Sequence, residues 1–314
     1  MNHLESSYLG ENQWWKYVLM LLVVPFIGQL LGSLPILIAQ LVQGINTMTE
    51  MSHIDPMDFE SYGINLTVGL VLVIIPFLLS LYLFIKLFKP LHERSFMTVI
   101  NGTRKIRWGR ILVGYAIWGV IMAFILVVDF YLNISNYEVQ LNFKALIPLA
   151  LVSMVLIPFQ AFYEEILFRG YLAQGIGRLT TNRLAVILIP SVIFALLHGL
   201  NPEVEKHGFW VMMPQYFIVA ISYALVSVFD DGIELAMGAH AANNTFISVF
   251  VVTEGAVFQT DALLKMLDVD HSKELMTVFF ASLVFIGTMA FIYKWSFKTL
   301  SAKIVNPEKS TPVV

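Results

Sequence analysis

The chain has 314 residues, of which 58% are hydrophobic and only 13% are charged, and its formal net charge is −3. An ordinary soluble domain is about 25% charged, so this composition excludes a disordered chain and offers no basic surface for nucleic acid. The chain has no cysteine, which excludes disulfides, cysteine-ligated metal sites and thiol nucleophiles. So large an apolar fraction favours a polytopic membrane protein.

Eight apolar runs are candidate membrane spans, because a bilayer core about 30 Å thick needs about 20 apolar residues as a helix. Backbone groups in lipid must pair within the segment, so helices are predicted. In chain order the runs are 17–41, 66–85, 111–128, 145–163 (continuing into charged residues), 184–200, 209–229, 235–252 and 276–293. The sequence therefore predicts an all-α bundle of about eight transmembrane helices, as a single membrane domain over 1–314 with a tail at 296–314.

Lysine and arginine fall mainly in alternate connections. Fourteen lie before span one, between spans two and three, between spans four and five, or after span eight, against four in the other connections. The positive-inside rule then predicts that both termini are cytoplasmic. The acidic head and the length of the first run predict a retained helix rather than a cleaved signal peptide. The expected location is the plasma (cell) membrane.

Three ionisable residues interrupt the fourth predicted span. Glu164, Glu165 and Arg169 would each cost roughly 2.5–3.5 kcal/mol on insertion scales if unpaired. Glu165 and Arg169 are four residues apart, so they share a helix face and can form an ion pair. Glu164 is rotated by about 100° from Glu165. It therefore points elsewhere, and a carboxylate facing a cavity is a candidate general base.

Histidines occur in two other predicted spans. His198 lies near the end of span five, and His240 shares a face of span seven with Asn244. At about 1.5 Å per residue, Glu164 and His198 lie about 22 and 21 Å from the cytoplasmic ends of their helices, so the two could meet. His240 lies only about 9 Å beyond Glu234 on the same rise, so span seven must tilt, dip or start deeper.

These side chains allow three kinds of chemistry. A glutamate with a histidine can activate water for hydrolysis, while His240 and Asn244 could donate hydrogen bonds to an oxyanion. Glu164, His198 and His240 could instead hold a divalent metal such as zinc, because carboxylate and imidazole are ordinary zinc ligands. A proton relay in a transporter would use the same residue types.

The three sites together resemble the CPBP family, which comprises membrane-embedded CAAX proteases and bacteriocin-processing or immunity proteins and includes the type II CAAX prenyl endopeptidases. The family pattern is Glu-Glu-x-x-x-Arg, then Phe-x-x-x-His, then His-x-x-x-Asn or Asp. It stands here as Glu164-Glu165-Ile-Leu-Phe-Arg169, Phe194-Ala-Leu-Leu-His198 and His240-Ala-Ala-Asn-Asn244. The motifs occur in the family's order on separate apolar runs, within a catalytic core of about 145–252.

The resemblance implies an intramembrane endopeptidase acting on a membrane-associated protein or peptide in the lipid bilayer, with no nucleic-acid partner. The roles it implies are a base that activates water (Glu164, assisted by His198), an oxyanion-stabilising pair (His240 and Asn244) and a supporting pair (Glu165 and Arg169). The family has been described both as a glutamate-type protease and as a metalloprotease. The sequence lacks His-Glu-x-x-His and leaves both descriptions open.

Two other functions fit the same residues. A non-catalytic membrane scaffold or bacteriocin-immunity factor of this family would use them as packing groups, in an ion pair and an interhelical hydrogen-bond pair. A proton-coupled transporter would use Glu164 with Asp129, but the sequence shows no inverted repeat to support it.

Overall fold

The structure is a computed structural model that describes residues 2–42, 59–60, 63–103 and 105–306. Long helices dominate it, which confirms the predicted all-α class. We number the long helices in chain order and include locally π-helical or 3-10 segments. They are α1 (Trp14–Val42), α2 (Leu66–His92), α3 (Trp108–Leu132), α4 (Phe143–Leu179), α5 (Arg183–Leu200), α6 (Phe209–Phe229), α7 (Glu234–Phe250) and α8 (His271–Tyr293).

Polar caps fix where several of these helices begin. The side chains of Asn65, Asn182 and Asp270 accept hydrogen bonds from backbone N–H groups in the first turns of α2, α5 and α8. Because Asp270 caps α8, this helix begins at His271, five residues before the apolar run at 276–293 that predicted it. Shorter helical segments lie before, between and after the long helices, at Glu5–Tyr8, Met97–Ile100, Ile134–Asn136, Pro202–His207 and Phe297–Ser301.

Seven of the eight long helices in the described residues are long and apolar enough to cross a bilayer, and α7 is the exception. It has 17 residues and is about 26 Å long at 1.5 Å per residue. The chain turns into a strand at Val251 instead of continuing as a helix to the predicted 252. The first nine residues of α7 are all buried, so this helix lies inside the bundle and is covered by protein rather than by lipid.

A small sheet joins two distant loops at one end of the bundle. Its strands are β1 (Tyr137–Val139), β2 (Val251–Thr253) and β3 (Leu264–Met266). β3 lies in the middle, antiparallel to β1 and parallel to β2. Since β1 follows α3 and the other two strands follow α7, α3 and α7 end at the same face of the bundle. We call it the sheet face.

The opposite end of the bundle carries a buried charge network. Arg107, just before α3, lies 3.1 Å from a carboxylate oxygen of Asp230 and also pairs with Glu234, the first residue of α7. Arg110 lies 3.2 Å from Asp230. We call this end the arginine face. Both α3 and α7 therefore run from the arginine face to the sheet face, and α7 crosses the bundle as the predicted seventh span does.

Two glycines bring α3 and α7 into contact backbone to backbone. A Cβ atom on Gly238 of α7 would overlap the carbonyl oxygen of Ile111, and one on Gly114 of α3 would overlap the carbonyl oxygen of Leu235. Side chains larger than hydrogen would push the two helices apart. This contact fixes the height and rotation of α7, and with it the position of His240 two residues after Gly238.

Candidate active site

The ion pair predicted from the spacing of Glu165 and Arg169 is confirmed. Arg169 Nη1 lies 2.9 Å from Glu165 Oε1, and the two side chains are 1% and 0% exposed. Arg169 Nη2 donates to the carbonyl oxygen of Ala220 at 3.1 Å, and the guanidinium lies 4.3 Å from the ring centre of Phe194. α4 turns from α-helical to π-helical geometry directly after the two glutamates, over Ile166–Leu172.

His240 lies between the two glutamates. Its Nδ1 atom is 2.7 Å from Glu165 Oε1, and its Nε2 atom is 3.5 Å from Glu164 Oε2. A carboxylate paired with Arg169 accepts hydrogen bonds, so Nδ1 carries a proton and donates it to Glu165. Glu234, the first residue of α7, is fully buried, so α7 is covered by protein from its start.

Glu164 differs from its neighbour in its surroundings. Glu165 Oε1 accepts from both Arg169 and His240 and is enclosed by them. The Glu164 side chain is 11% exposed and lines an internal cavity. The Oε2 atoms of both glutamates are buried and have no hydrogen-bond donor within the described part of the chain, so the difference lies in the cavity beside Glu164. The two adjacent carboxylates therefore face different environments, as their rotation around the helix predicts.

Phe194 explains why a phenylalanine belongs to the second motif. Its ring packs against the Arg169 guanidinium, and its centre lies 4.2 Å from that of the His198 ring and 6.1 Å from that of His240. One aromatic side chain thus contacts or faces a charged or titratable residue of each motif. Its position in the sequence, four residues before His198, places both rings on one side of α5.

His198 shares the cavity with Glu164. Its Nδ1 atom lies 2.8 Å from the carbonyl oxygen of Phe194, so Nδ1 carries the proton and Nε2 is left for other chemistry. Its ring also packs against Tyr216, with ring centres 4.7 Å apart. The sequence predicts that His198 and Glu164 could meet. In the structure both line the same cavity, and the imidazole directly beside Glu164 is that of His240.

Asn244 belongs to a chain of amide hydrogen bonds that sequence reasoning missed. Asn244 Nδ2 donates to Gln160 Oε1 at 2.9 Å, and Asn243 Nδ2 donates to Asn244 Oδ1 at 3.1 Å. Trp118 Nε1 on α3 in turn donates to Asn243 Oδ1 at 3.2 Å. Gln160 could have been found, since it is a polar residue in an apolar run, one helical turn before Glu164.

These groups surround one cavity of about 740 Å³, within the usual range for a ligand site. Residues that the sequence singled out and residues that it missed contribute to its walls, including Glu164, His198, His240 and Asn244 in the first group and Gln160, Asn243 and Tyr216 in the second. Glu165 and Arg169 lie behind this wall. The structure therefore brings all three motifs together, with the ion pair as support and the other polar groups facing the cavity.

The side chains considered as zinc ligands do not form a ligand set. Within the described ranges, no group of three or more histidine, aspartate or glutamate side chains is arranged to hold a metal ion. Both nitrogens of His240 face carboxylates, and Nδ1 of His198 is bound to a backbone carbonyl. A three-ligand zinc centre would need these side chains to be rearranged, whereas a glutamate-type site uses them as they stand.

Comparison with known proteins agrees with the motifs. The family model described as type II CAAX prenyl endopeptidase Rce1-like matches residues 145–246, the stretch that holds all three motifs. The chain is also 31% identical over 208 residues to the uncharacterized protein YyaK of Bacillus subtilis, which covers 65% of this chain and 69% of that protein. The chain belongs to the Rce1-like family. No solved structure matches it.

The Rce1-like region coincides with the part of the fold that carries the polar groups. It begins in the first turn of α4 and ends at Phe246 near the end of α7. Helices α3 and α8 lie outside the matched region but contribute cavity walls, with Trp118 and Ala281 among their lining residues. The predicted membership of a CAAX protease family and the predicted integral membrane character are thus confirmed.

Proposed function

We propose that this Rce1-like protein is an intramembrane endopeptidase in which Glu164 activates the water that attacks a peptide bond. The observation that carries the proposal is the difference between the two adjacent glutamates. Glu164 lines the cavity beside His240, whereas Glu165 is enclosed by Arg169 and His240. A carboxylate next to an imidazole in a sheltered cavity suits general acid–base catalysis.

The reaction begins when a water molecule beside Glu164 attacks the carbonyl carbon of the peptide bond. Glu164 takes a proton from the water as the new C–O bond forms, and the carbonyl oxygen becomes an oxyanion. The proton then passes from Glu164 to the nitrogen of the leaving amine, and the C–N bond breaks. The products are a carboxylic acid and an amine, and Glu164 returns to its starting state.

The neighbouring polar groups support these charges. Glu165 fixes His240 through Nδ1, which leaves Nε2 beside Glu164, so the distances support a role for His240 in handling the proton. Asn244 uses one amide proton for Gln160 and keeps a second for an oxyanion. His198 Nδ1 donates to the Phe194 carbonyl oxygen, which leaves Nε2 as an acceptor that can assist Glu164 in taking a proton from the water. We therefore propose that Asn244 stabilises the oxyanion and that His240 assists the proton transfers of Glu164.

The substrate we infer is a membrane-associated protein or peptide, and the location is the cell membrane. A cavity of about 740 Å³ has room for a few residues of an extended chain, and its polar groups are buried among helices of span length. The proposal places the whole of 1–314 in one membrane domain, with the core at about 145–252 holding the catalytic groups.

A comparison of peptide termini tests the proposal. Membranes carrying the wild-type protein or Glu164→Gln, at matched protein levels, are analysed for newly formed N termini by mass spectrometry. We expect a set of termini that disappears in Glu164→Gln, because the amide cannot act as a base. The matched control is Glu254→Gln, which makes the same change at an exposed residue of a loop and should leave the termini unchanged. Identical termini in wild type and Glu164→Gln would overturn the mechanism.

A further inference from the structure

The cavity extends from the candidate site in one direction. From Glu164 and His240 it continues past Leu126 of α3 to Tyr137 of β1 and to His271 at the start of α8. Four of its lining residues, Ser135, Asp268, Asp270 and Lys273, are exposed, so it reaches the surface at the sheet face. None of the described residues that line it belongs to a connection at the arginine face.

The other side of the site is filled by protein. His3 Nε2 lies 3.1 Å from the carbonyl oxygen of Arg169, and Gln174 Nε2 donates to the carbonyl oxygen of His3 at 2.8 Å. The space left between His3, Leu4 and Arg169 is about 10 Å³, the size that holds a single water molecule. The N-terminal segment thus packs against Arg169 and Gln174 on the arginine-face side of the site.

The basic residues assign the two faces to the two sides of the membrane. Of the 14 lysines and arginines in the first set of connections, the twelve that the structure describes lie towards the arginine face, where backbone and side-chain hydrogen bonds join the N-terminal segment to the connections after α2, α4, α6 and α8. Lys144, Lys206, Lys265 and Lys273 lie towards the sheet face. The positive-inside rule makes the arginine face cytoplasmic. The mouth of the cavity then lies on the non-cytoplasmic side.

We propose that the cavity is loaded from the non-cytoplasmic side, so that the substrate is a peptide segment exposed on that side of the membrane and not a cytoplasmic C terminus. The direction of access follows from the shape of the cavity and the charges of the loops. The statement about the substrate rests on the endopeptidase function proposed above. The two parts are therefore tested by different measurements.

Cysteine accessibility tests the direction of access without requiring activity. The chain has no cysteine, so every introduced thiol is the only one. Val219→Cys places it on the cavity wall, next to Ala220, whose carbonyl accepts from Arg169. Ser272→Cys and Ser301→Cys are exposed references at the start of α8 and beyond its end. The probe is a small sulfonated maleimide that does not cross membranes, applied to intact cells and to inside-out vesicles.

We expect the maleimide to label Val219→Cys and Ser272→Cys in intact cells and Ser301→Cys only in inside-out vesicles. Labelling of Val219→Cys from the side of Ser301→Cys would overturn the proposal. So would a Val219→Cys thiol that reacts from neither side but reacts after denaturation, because the cavity would then be closed. Labelling of Ser272→Cys only in inside-out vesicles would overturn the assignment of the faces.

The position of the Glu164-dependent termini tests the substrate class. They should lie in segments of membrane proteins or peptides on the non-cytoplasmic side. Termini confined to cytoplasmic segments would refute the substrate class while the protease function stood. No Glu164-dependent termini, together with labelling of Val219→Cys from outside, would refute the endopeptidase and the substrate class with it, and leave the direction of access supported.

Discussion

At the scale of single residues, two adjacent glutamates have different surroundings. Glu165 joins Arg169 and His240 in a buried network, so removing its charge leaves the buried Arg169 guanidinium without its carboxylate partner. Breaking a buried ion pair by removing one partner costs about 3–5 kcal/mol. Glu164 has an imidazole at 3.5 Å and a cavity on its other side. Its charge serves the proposed chemistry more than the fold.

We therefore predict that Glu165→Gln lowers the unfolding temperature strongly, by an amount that corresponds to about 3–5 kcal/mol. Glu164→Gln should unfold at the same temperature as wild type or higher, because a buried charge with incomplete pairing is removed. Thermal unfolding of the purified variants in one detergent measures the difference. Equal losses in the two variants would contradict the division of roles.

A second prediction at this scale concerns Asp230 in the charge network of the arginine face. Burial raises the pKa of the Asp230 carboxyl from its ordinary value of 3.8 to about 6, although Arg107 and Arg110 act in the opposite direction. Between these two pH values the folded protein holds a proton that the unfolded chain has released. Stability contributed by this group is therefore present below pH 4 and is lost as the pH rises to about 6.

Two pKa units correspond to about 3 kcal/mol, so wild type should lose up to about that much stability, relative to Asp230→Asn, between pH 4 and 6. The unfolding temperatures of the two proteins across this range give the measurement. Asp268→Asn, at an exposed position, is the control and should follow wild type. A constant difference between wild type and Asp230→Asn across the range would refute the prediction.

The sequence could predict which residues form the site, but it could not predict all of their partners. The pairing of Glu165 with Arg169 follows from spacing within one helix and is confirmed. The contact of His240 with both glutamates depends on how α7 is rotated against α4, which no spacing within either helix reveals. The sequence therefore groups His240 with Asn244 on one helix face. The structure adds a hydrogen bond from Asn244 to Gln160 that this grouping does not predict. The catalytic roles remain predictions.

At the scale of helices, the local geometry of α4 and the packing of α7 position the site. The π-helical segment Ile166–Leu172 starts directly after the two glutamates, and such segments often mark functional sites in helices. An apolar run predicts a helix but does not distinguish π from α geometry. The length of α7 and the sheet of three-residue strands were also beyond prediction, because pairing between distant loops ends this helix at Phe250.

The contact of α3 with α7 gives a prediction at this scale. Gly238→Ala should destabilise the protein by about 1–3 kcal/mol, as overpacking does, and should reduce Glu164-dependent cleavage, because the new methyl group pushes on Ile111 of α3 and displaces His240. Gly119→Ala is the matched control on α3. A Cβ there meets no described atom within 4 Å, so this variant should retain cleavage and be as stable as wild type or slightly more stable.

Cleavage and unfolding temperature, measured on the two glycine variants side by side, check this prediction. Full cleavage by Gly238→Ala at an unchanged unfolding temperature would show that the close approach of α3 and α7 does not position His240.

At the scale of the whole molecule, composition and motifs predicted the fold class and the family. The helices confirm the class, and the comparisons confirm the family. The direction in which the cavity opens was a different matter. The depths of Glu164 and His198, at about 1.5 Å per residue, lean towards access from the cytoplasm, by a margin smaller than the error of the arithmetic. The direction in which the cavity opens depends on which segments pack at each end of the bundle. These are the N-terminal segment around His3 at one end and the loops after α3 and α7 at the other, and they come together only in the folded chain.

The proposed direction of access also determines where the products of cleavage would go. If the substrate enters at the sheet face, both fragments leave at that face, because the N-terminal segment and the Arg107 network pack at the other end of the described bundle. The protein itself would then deliver neither new terminus to the cytoplasm. Cleavage would change which peptides are present on the non-cytoplasmic side. A cytoplasmic response would need a separate receptor or would follow from the loss of the intact substrate.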